Sequence, residues 1–331
     1  MSRRSFRGNR VGMQTMKAMV IDGFGGPDQL RPHTMPVPVV ADGEELVRLE
    51  VVGVGEWDPF EREGGYAEML GTTPEFPYVL GSEGAGEVAA VGRGVERLVV
   101  GDPGVCRRLP QPSRRVLRRT GGHRRGSRVS CARRIDRRRG RRMGGVGTTA
   151  LRGLDDVLRV EPGTTVLVFG AGGGIGHLAV QLARRMGGRV LAVASGDDGV
   201  ELASRLNADA VVDGRRDDVS AAAQRFARGG VDAALLTAGG EAADEAVKAV
   251  RRGGRVAYPN GVMPEPVAVD GVDIVAYNGE PDRDLIERFD ALISTTPPIV
   301  HIAETFPLES AAEAHRALDR HHLGKLALAI S

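Results

Sequence analysis

The sequence predicts an α/β protein whose first half is mostly β and whose second half is a doubly wound parallel sheet. Three observations carry the prediction. From Lys17 to about Gly101 the short apolar runs KAMVI, ELVRLEVVGV and GAGEVAAVG are separated by turn clusters such as GFGGPD and TTPEFP, the texture of a β-rich domain. From Thr164 onward apolar runs alternate with stretches of helical period, an order that right-handed crossovers turn into a parallel sheet. The length, 331 residues, suits two domains with cores of ordinary size.

The second half reads as TVLVF, a helix from Ile175, RVLAVA, a helix around Gly199 to Leu206, AVVD and a helix near Val219 to Ala227. VDAALL, a helix near Ala242 to Val250 and GRVAY follow. From Phe306 the tail, through LESAAEAHRALDRHHLGKLALAI, gives one more amphipathic helix and a final strand. There is no repeat of solenoid type.

The strongest motif is VLVFGAGGGIGHLAVQLARRMGG. A strand, Thr165 to Phe169, runs into a glycine-rich turn, and apolar residues then recur at Ile175, Leu178, Ala179, Leu182 and Met186 on one helix face. Gly170, Gly173 and Gly176, with Gly174 and Ile175 between them, permit a tight turn and close backbone approach, and the helix N-terminus offers amides to a pyrophosphate. Strand, turn, helix and next strand stand in the order of a dinucleotide site; the alternative is a packed βα turn. NADPH is the expected cofactor and NADH the alternative. RVLAV is followed by Ala194 and Ser195 rather than by an acid for the ribose hydroxyls, so nothing there repels a 2′-phosphate. Arg205 is either a counter-charge, opposed by Asp197 and Asp198, or a solvated helix residue.

Further motifs are MKAMVIDGFGGPDQL, GVGEWDPFEREGGY, FPYVLGSEGAGEVAAVG, GTTALRGLDDVLRVEPG, VDAALLTAGG and GKLALAI. With the glycine turn, they resemble the medium-chain dehydrogenase/reductase superfamily, in its zinc-independent quinone oxidoreductase (zeta-crystallin-like) branch. The resemblance covers nearly all the chain apart from an Arg-rich window. It implies a GroES-like β-barrel catalytic domain at 16–102, a Rossmann domain at 144–295, and a C-terminal segment, 296–331, that returns to the barrel. A substrate cleft between the domains and a homodimer are implied as well.

Zinc-dependent members hold the metal with a Cys in the region of Gly55 to Trp57 and a His before the Glu of GHE. Here the second motif reads Gly81, Ser82, Glu83 and the first has no Cys, so no metal is expected. Without a Lewis acid, hydride addition to a quinone or enone is easier than reduction of an ordinary ketone. A zinc-free carbonyl reductase is the alternative. By resemblance Tyr66 is the active-site tyrosine, whose phenol bonds the substrate oxygen as charge develops, and Asp58 and Arg62 orient substrate or cofactor. Thr149 contacts the cofactor, Ser195 borders its ribose, and Ala238, Gly239, Asn260 and Gly261 lie at the nicotinamide edge. The plain alternatives are barrel packing for Tyr66 and a surface ion pair for Asp58 with Arg62. The Asn that often stands at the place of Gly55 is missing. His177 reads as a first-turn helix residue, and His321 with His322 as too isolated for a metal.

Charge singles out one window. Between Arg107 and Arg142 there are 16 Arg, no Lys and one acid, Asp136, while the remainder has 29 basic and 42 acidic residues. The acidic remainder argues against a phosphate-binding surface. The run has no aromatic interleaving and sits inside a domain, which disfavours a nucleic-acid arm. The chain has 42 Arg but only Lys17, Lys248 and Lys325, the mark of a GC-rich coding sequence. Read one base along, codons for Pro103, Gly104, Val105 and Cys106 can give Arg, Val, Tyr and Ala, and those for Arg114 to Arg119 can give GGFYAE, both superfamily-like. Residues 103 to about 143 are therefore expected to be a frame-shifted translation that stays solvated and disordered, leaving the chain impaired in turnover. Cys106 and Cys131 both lie in or beside the window, so no disulfide framework is expected elsewhere. No apolar run reaches about 18 residues. Residues 1–15 have no signal-peptide h-region and read as a disordered extension before Met16. A cytoplasmic protein with no membrane partner is expected.

Overall fold

A computed structural model of the chain describes residues 14–96, 98–107 and 144–330. Its N-terminal half supplies β1 (Thr15–Ile21), β2 (Arg31–Pro36), β3 (Glu45–Val54), the short helices α1 (Trp57–Arg62) and α2 (Gly65–Leu70), β4 (Tyr78–Val79), β5 (Glu83–Val91) and β6 (Pro103–Arg107). The second half opens with α3 (Gly144–Arg152) and a π-helical turn (Gly153–Val157). β7 (Thr165–Phe169), α4 (Gly176–Arg185), β8 (Arg189–Ala194), α5 (Gly196–Arg205), β9 (Ala210–Asp213) and α6 (Val219–Phe226) come next. Then come β10 (Val231–Leu236), α7 (Glu241–Lys248), β11 (Val250–Pro259), β12 (Asp273–Tyr277) and α8 (Arg283–Ile293). The tail adds β13 (Ile302–Pro307), α9 (Ala311–Ala317) and β14 (Lys325–Ala329).

The second half is a six-stranded sheet in the order β12-β11-β10-β7-β8-β9, with every pairing parallel. β7 shows why its sequence makes a central strand. Val166 and Val168 pack into the core on one face and Leu167 into the core on the other, so an unbroken apolar run serves two layers of helices. The chain winds outward through β8 and β9, then returns to place β10 on the other side of β7, and this reversal opens a crevice at the carboxyl ends of β7 and β10. Asp218 and Asp282 cap α6 and α8 by accepting from Ala221 and Leu285.

The first half forms a three-stranded sheet, β2-β1-β4, and a five-stranded sheet, β13-β14-β3-β5-β6. The tail thus returns to the barrel, with β14 antiparallel to β3. Met19, Ile21, Val54, Phe306, Ala314 and Leu326 share a core, so barrel and tail bury one apolar surface. Two expectations need correcting. Pro103–Arg107 are strand β6, antiparallel to β5, so order continues past 102, and Thr15 already belongs to β1. The rest of the Arg window and of the N-terminal extension lies outside the described residues. β2 escaped notice because Pro32 and Pro36 read as strand breakers; it lies at a sheet edge, where proline is tolerated.

Candidate active site

The turn after β7 is shaped by backbone that leaves no room. Gly170 has φ of 77°, and a Cβ on Gly176 would stand 2.0 Å from the Gly170 carbonyl oxygen. Both positions therefore require glycine. The amides of Gly170 and Ala171 bond Val193 O on β8, at 3.0 and 2.9 Å, and Thr237 Oγ1, just past β10, donates to Phe169 O at 2.8 Å. These bonds tie the turn to both neighbouring strands. Gly173, Gly174 and Ile175 remain partly exposed just before α4; the Gly173 amide donates to Gly170 O at 2.9 Å, and the amides of the first helical turn lack intrahelical partners. The turn is therefore open rather than walled off, and it fits an anionic diphosphate.

Past β8, Ser195 is exposed and extended as the N-cap of α5. The adjacent Gly196 N–H donates to Asp213 Oδ1 at 3.2 Å. Arg216 joins this edge, with Nε 2.7 Å from Asp213 Oδ2 and Nη2 2.5 Å from Asp197 Oδ1. The Asp213 carboxyl is held below its ordinary pKa, first by the N–H of Arg215. Asp213 of β9 and Asp197 of α5 thus set two carboxylates beside Ser195 and Gly196, against the one guanidinium of Arg216. Arg205 pairs with Glu201 on α5, in keeping with a helix-face residue, and Asp198 pairs with His321 at 3.0 Å.

Past β10, Ala238 is exposed, and a Cβ on Gly239 would meet Pro264 O at 2.2 Å. Past β11, Asn260 bonds Asn278 side chain to side chain at 2.8 Å. Thr149 is buried on α3; its hydroxyl donates to Gly145 O and its carbonyl accepts from Tyr277. A Cβ on Gly279 would stand 2.0 Å from Thr149 Oγ1, which brings α3 against the loop that carries Asn278. The glycine turn, Ser195, Ala238, Gly239, Asn260 and Gly261 all follow strands of one parallel sheet, so they share its carboxyl edge.

On the barrel side, Asp58 and Arg62 are no surface ion pair. Asp58 is 7 % exposed and its Oδ2 accepts from Gly55 N at 2.8 Å. Burial, ahead of the nearby Glu61 and Glu83, pushes its carboxyl up to about 7. Arg62 is also buried and its donors are occupied by Gly25 O, His315 Nδ1 and Glu63, so it braces the loop between β1 and β2, and α9, against α1. Tyr66 is half-buried and lies over Trp57, with ring centroids 5.9 Å apart and 27° between planes.

Three features were missed from the sequence. Trp57 reaches the carboxyl edge of the parallel sheet, since a Cβ on Gly261 would stand 2.4 Å from its Cζ2. Lys325, at the start of β14, makes a buried ion pair with Glu83 at the start of β5, and Glu83 Oε2 accepts from Gly145 N at 2.9 Å. A signal for Lys325 was available: it is one of only three lysines in the chain. Third, His177 is fully buried; its Nδ1 lies 2.8 Å from Gly173 O, its Nε2 has no partner, and burial pushes it down to about 4. Among the described residues, no group of three or more His, Cys, Asp or Glu side chains converges as a metal site.

Comparison with known proteins agrees with this geometry. Residues 41–150 match the alcohol dehydrogenase GroES-like domain and residues 174–278 the family described as zinc-binding dehydrogenase. An alcohol dehydrogenase of Geobacillus stearothermophilus is 32 % identical over 89 % of this chain and 94 % of its own. The chain belongs to the medium-chain dehydrogenase/reductase superfamily. Another member of the superfamily, a quinone oxidoreductase of Rattus norvegicus, is 26 % identical over 96 % of this chain and 97 % of its own. A mycobacterial structure complexed with NADPH superposes with a TM-score of 0.73 at 27 % identity, covering 95 % of this chain and all of that one. The chain is accordingly an oxidoreductase built from a GroES-like domain and a Rossmann-type sheet. Among the described residues no helix is long and apolar enough to cross a membrane.

Proposed function

We propose that the chain is a zinc-independent, NADPH-dependent reductase of quinones or other conjugated double bonds. The donor set on the barrel side carries this reading. Gly55 and Ser82 stand where a superfamily zinc site needs thiolate and imidazole, and the adjacent carboxylate, Glu83, is committed to Lys325 and Gly145. The segment matched to the zinc-binding family contains no cysteine. These residues do not fit zinc, which binds through nitrogen and sulfur.

When bound, the reduced nicotinamide supplies a hydride to the conjugated carbon, and the acceptor oxygen takes up a proton. In this reading the backbone amides of Gly174, Ile175 and Gly176 at the positive end of α4 hold the pyrophosphate, while Gly170 and Gly173, whose amides bond Val193 O and Gly170 O, shape the turn that lets it approach. Thr149, Ala238, Gly239, Asn260 and Gly261 border the nicotinamide. Ser195 and Arg216 face the 2′-phosphate in this reading; the similar structures include one complexed with NADPH and one described as an NAD-dependent alcohol dehydrogenase. The Tyr66 hydroxyl donates to the acceptor oxygen, where negative charge develops. Burial raises the Asp58 carboxyl to about 7, so this side chain keeps its proton below that pH, and its bond from Gly55 N holds the start of α1. Arg62 positions this loop.

NADPH oxidation by a naphthoquinone, with and without a zinc chelator, tests the reading. Chelator-insensitive turnover is expected; chelator-sensitive oxidation of a primary alcohol overturns it. The 32 % identical alcohol dehydrogenase favours carbonyl reduction as the second reading, which an equal rate with an unconjugated ketone would support.

A further inference from the structure

Trp57 is the only tryptophan of the chain, and 44 % of it is exposed. An indole gains from burial, so so large an exposed area needs a reason in its position. The ring opens α1, at the barrel side of the cleft, and reaches across to Gly261, directly after β11 at the carboxyl edge of the parallel sheet. Gly261 has φ of 96°, and any side chain there would push the indole away. Behind the indole stand Tyr66, stacked as described, and Phe60, edge-on to both, with centroids 5.4 Å from Trp57 and 5.0 Å from Tyr66. Three rings in mutual contact hold the indole plane in one orientation, because each π-face and edge prefers offset or perpendicular neighbours at such spacings.

We propose that Trp57 is a specificity-determining residue: its indole, backed by Tyr66 and Phe60 and seated against Gly261, is the flat face on which a planar fused-ring acceptor stacks. The proposal rests on the conjugated-acceptor reading above and narrows it, from any enone or quinone to bicyclic and larger aromatic quinones. A small puckered enone covers little of such a face and gains little from it. Stacking acts on binding and orientation; because Trp57 also packs against Tyr66, the quantity that reports the stacking face is the ratio of kcat/KM between a flat and a puckered acceptor.

The test compares the wild type with Trp57→Phe and Trp57→Ala, using a naphthoquinone and cyclohexenone as acceptors for NADPH. For Trp57→Ala, the ratio of kcat/KM for the naphthoquinone to that for cyclohexenone is expected to fall about tenfold, the worth of about 1.4 kcal/mol, and Trp57→Phe keeps most of the preference. Equal loss with both acceptors overturns the inference and leaves the functional reading intact. The wild type gives a second readout that needs no variant and no turnover. Its single tryptophan is expected to be quenched saturably by the naphthoquinone and not by cyclohexenone. Absence of saturable quenching overturns the inference. Quenching without NADPH consumption keeps the stacking face and overturns the reductase reading.

Discussion

Arg216 is the residue on which cofactor choice is most open to experiment. Its guanidinium links Asp197 and Asp213 at the edge where Ser195 and Gly196 leave β8, and its single positive charge stands against these two acids. Arg216→Ala is expected to weaken NADPH about tenfold while NADH changes little, since a charge-assisted contact with a 2′-phosphate is absent from NADH; paired titrations of nucleotide fluorescence check this. His315 sets a second prediction. Burial, then the charge of Arg62, pushes it down to about 4, from an ordinary value of about 6.5. The unfolded chain therefore takes up a proton first, and stability is lost as pH falls from about 6.5 towards 4, by about 2 to 3 kcal/mol for one such group. Asp58, pushed up to about 7, has the opposite sign, because the folded state keeps the proton that the unfolded state loses, so its contribution is lost as pH rises from about 4 to 7. Urea midpoints across this range are expected to fall less steeply on the acid side in His315→Gln, and to decline less towards neutrality in Asp58→Asn. Neither behaviour was legible in the sequence. Both depend on burial beneath α9 and α1, and a lone histidine or aspartate gives no sign of what will cover it.

At the scale of elements, the barrel and the parallel sheet are joined where β14 begins. Gly324 N donates to Gly172 O at 2.7 Å, inside the glycine turn, and the next residue, Lys325, pairs with Glu83 on β5. The residue just before β14 thus touches the proposed pyrophosphate loop, and the first residue of the strand holds β5 in the barrel sheet. Lys325 is 5 % exposed and Glu83 12 % at the side chain, and removing one partner of a buried pair strands the other charge. Lys325→Met is expected to cost about 3 to 5 kcal/mol, and a Lys325→Met/Glu83→Gln double variant to recover part of that loss; thermal or urea unfolding measures both. The elements themselves were largely legible. β3, β5, β7, β8, β10 and α4 follow from apolar runs and helical spacing, because central strands and packed helices bury whole runs of residues. β2 was not read because its prolines suit an edge strand, and β12 with α8 continue the second half beyond the last strand recognised in it. β6 was hidden for another reason: strand pairing with β5 uses backbone groups, which an unusual side-chain composition conceals but does not remove.

For the whole molecule, the open matter in the sequence is the Arg-rich window. The frame-shift proposal makes a direct claim about the coding DNA: one base along, the window contains a GGFYAE coding run and no stop codon. A chain carrying that restored frame is expected to turn over naphthoquinone at least about tenfold faster than the chain as it stands, since a charge of +15 cannot line an apolar barrel. A stop codon in the alternate frame, or equal rates for the two chains, removes the proposal.

The sequence alone determined the two-domain α/β plan and the glycine turn, since these follow from local rules: periodicity of side chains, backbone freedom of glycine, and the order of strand and helix. It also determined that thiolate and imidazole are missing where a zinc would need them. Tertiary structure decided that Trp57 meets Gly261, that Lys325 finds Glu83, that Arg216 bridges Asp197 and Asp213, and that Asp58 and Arg62 are buried in separate networks. Those contacts join residues far apart in the chain, and their energetics depend on burial and on distances that only the packed fold sets.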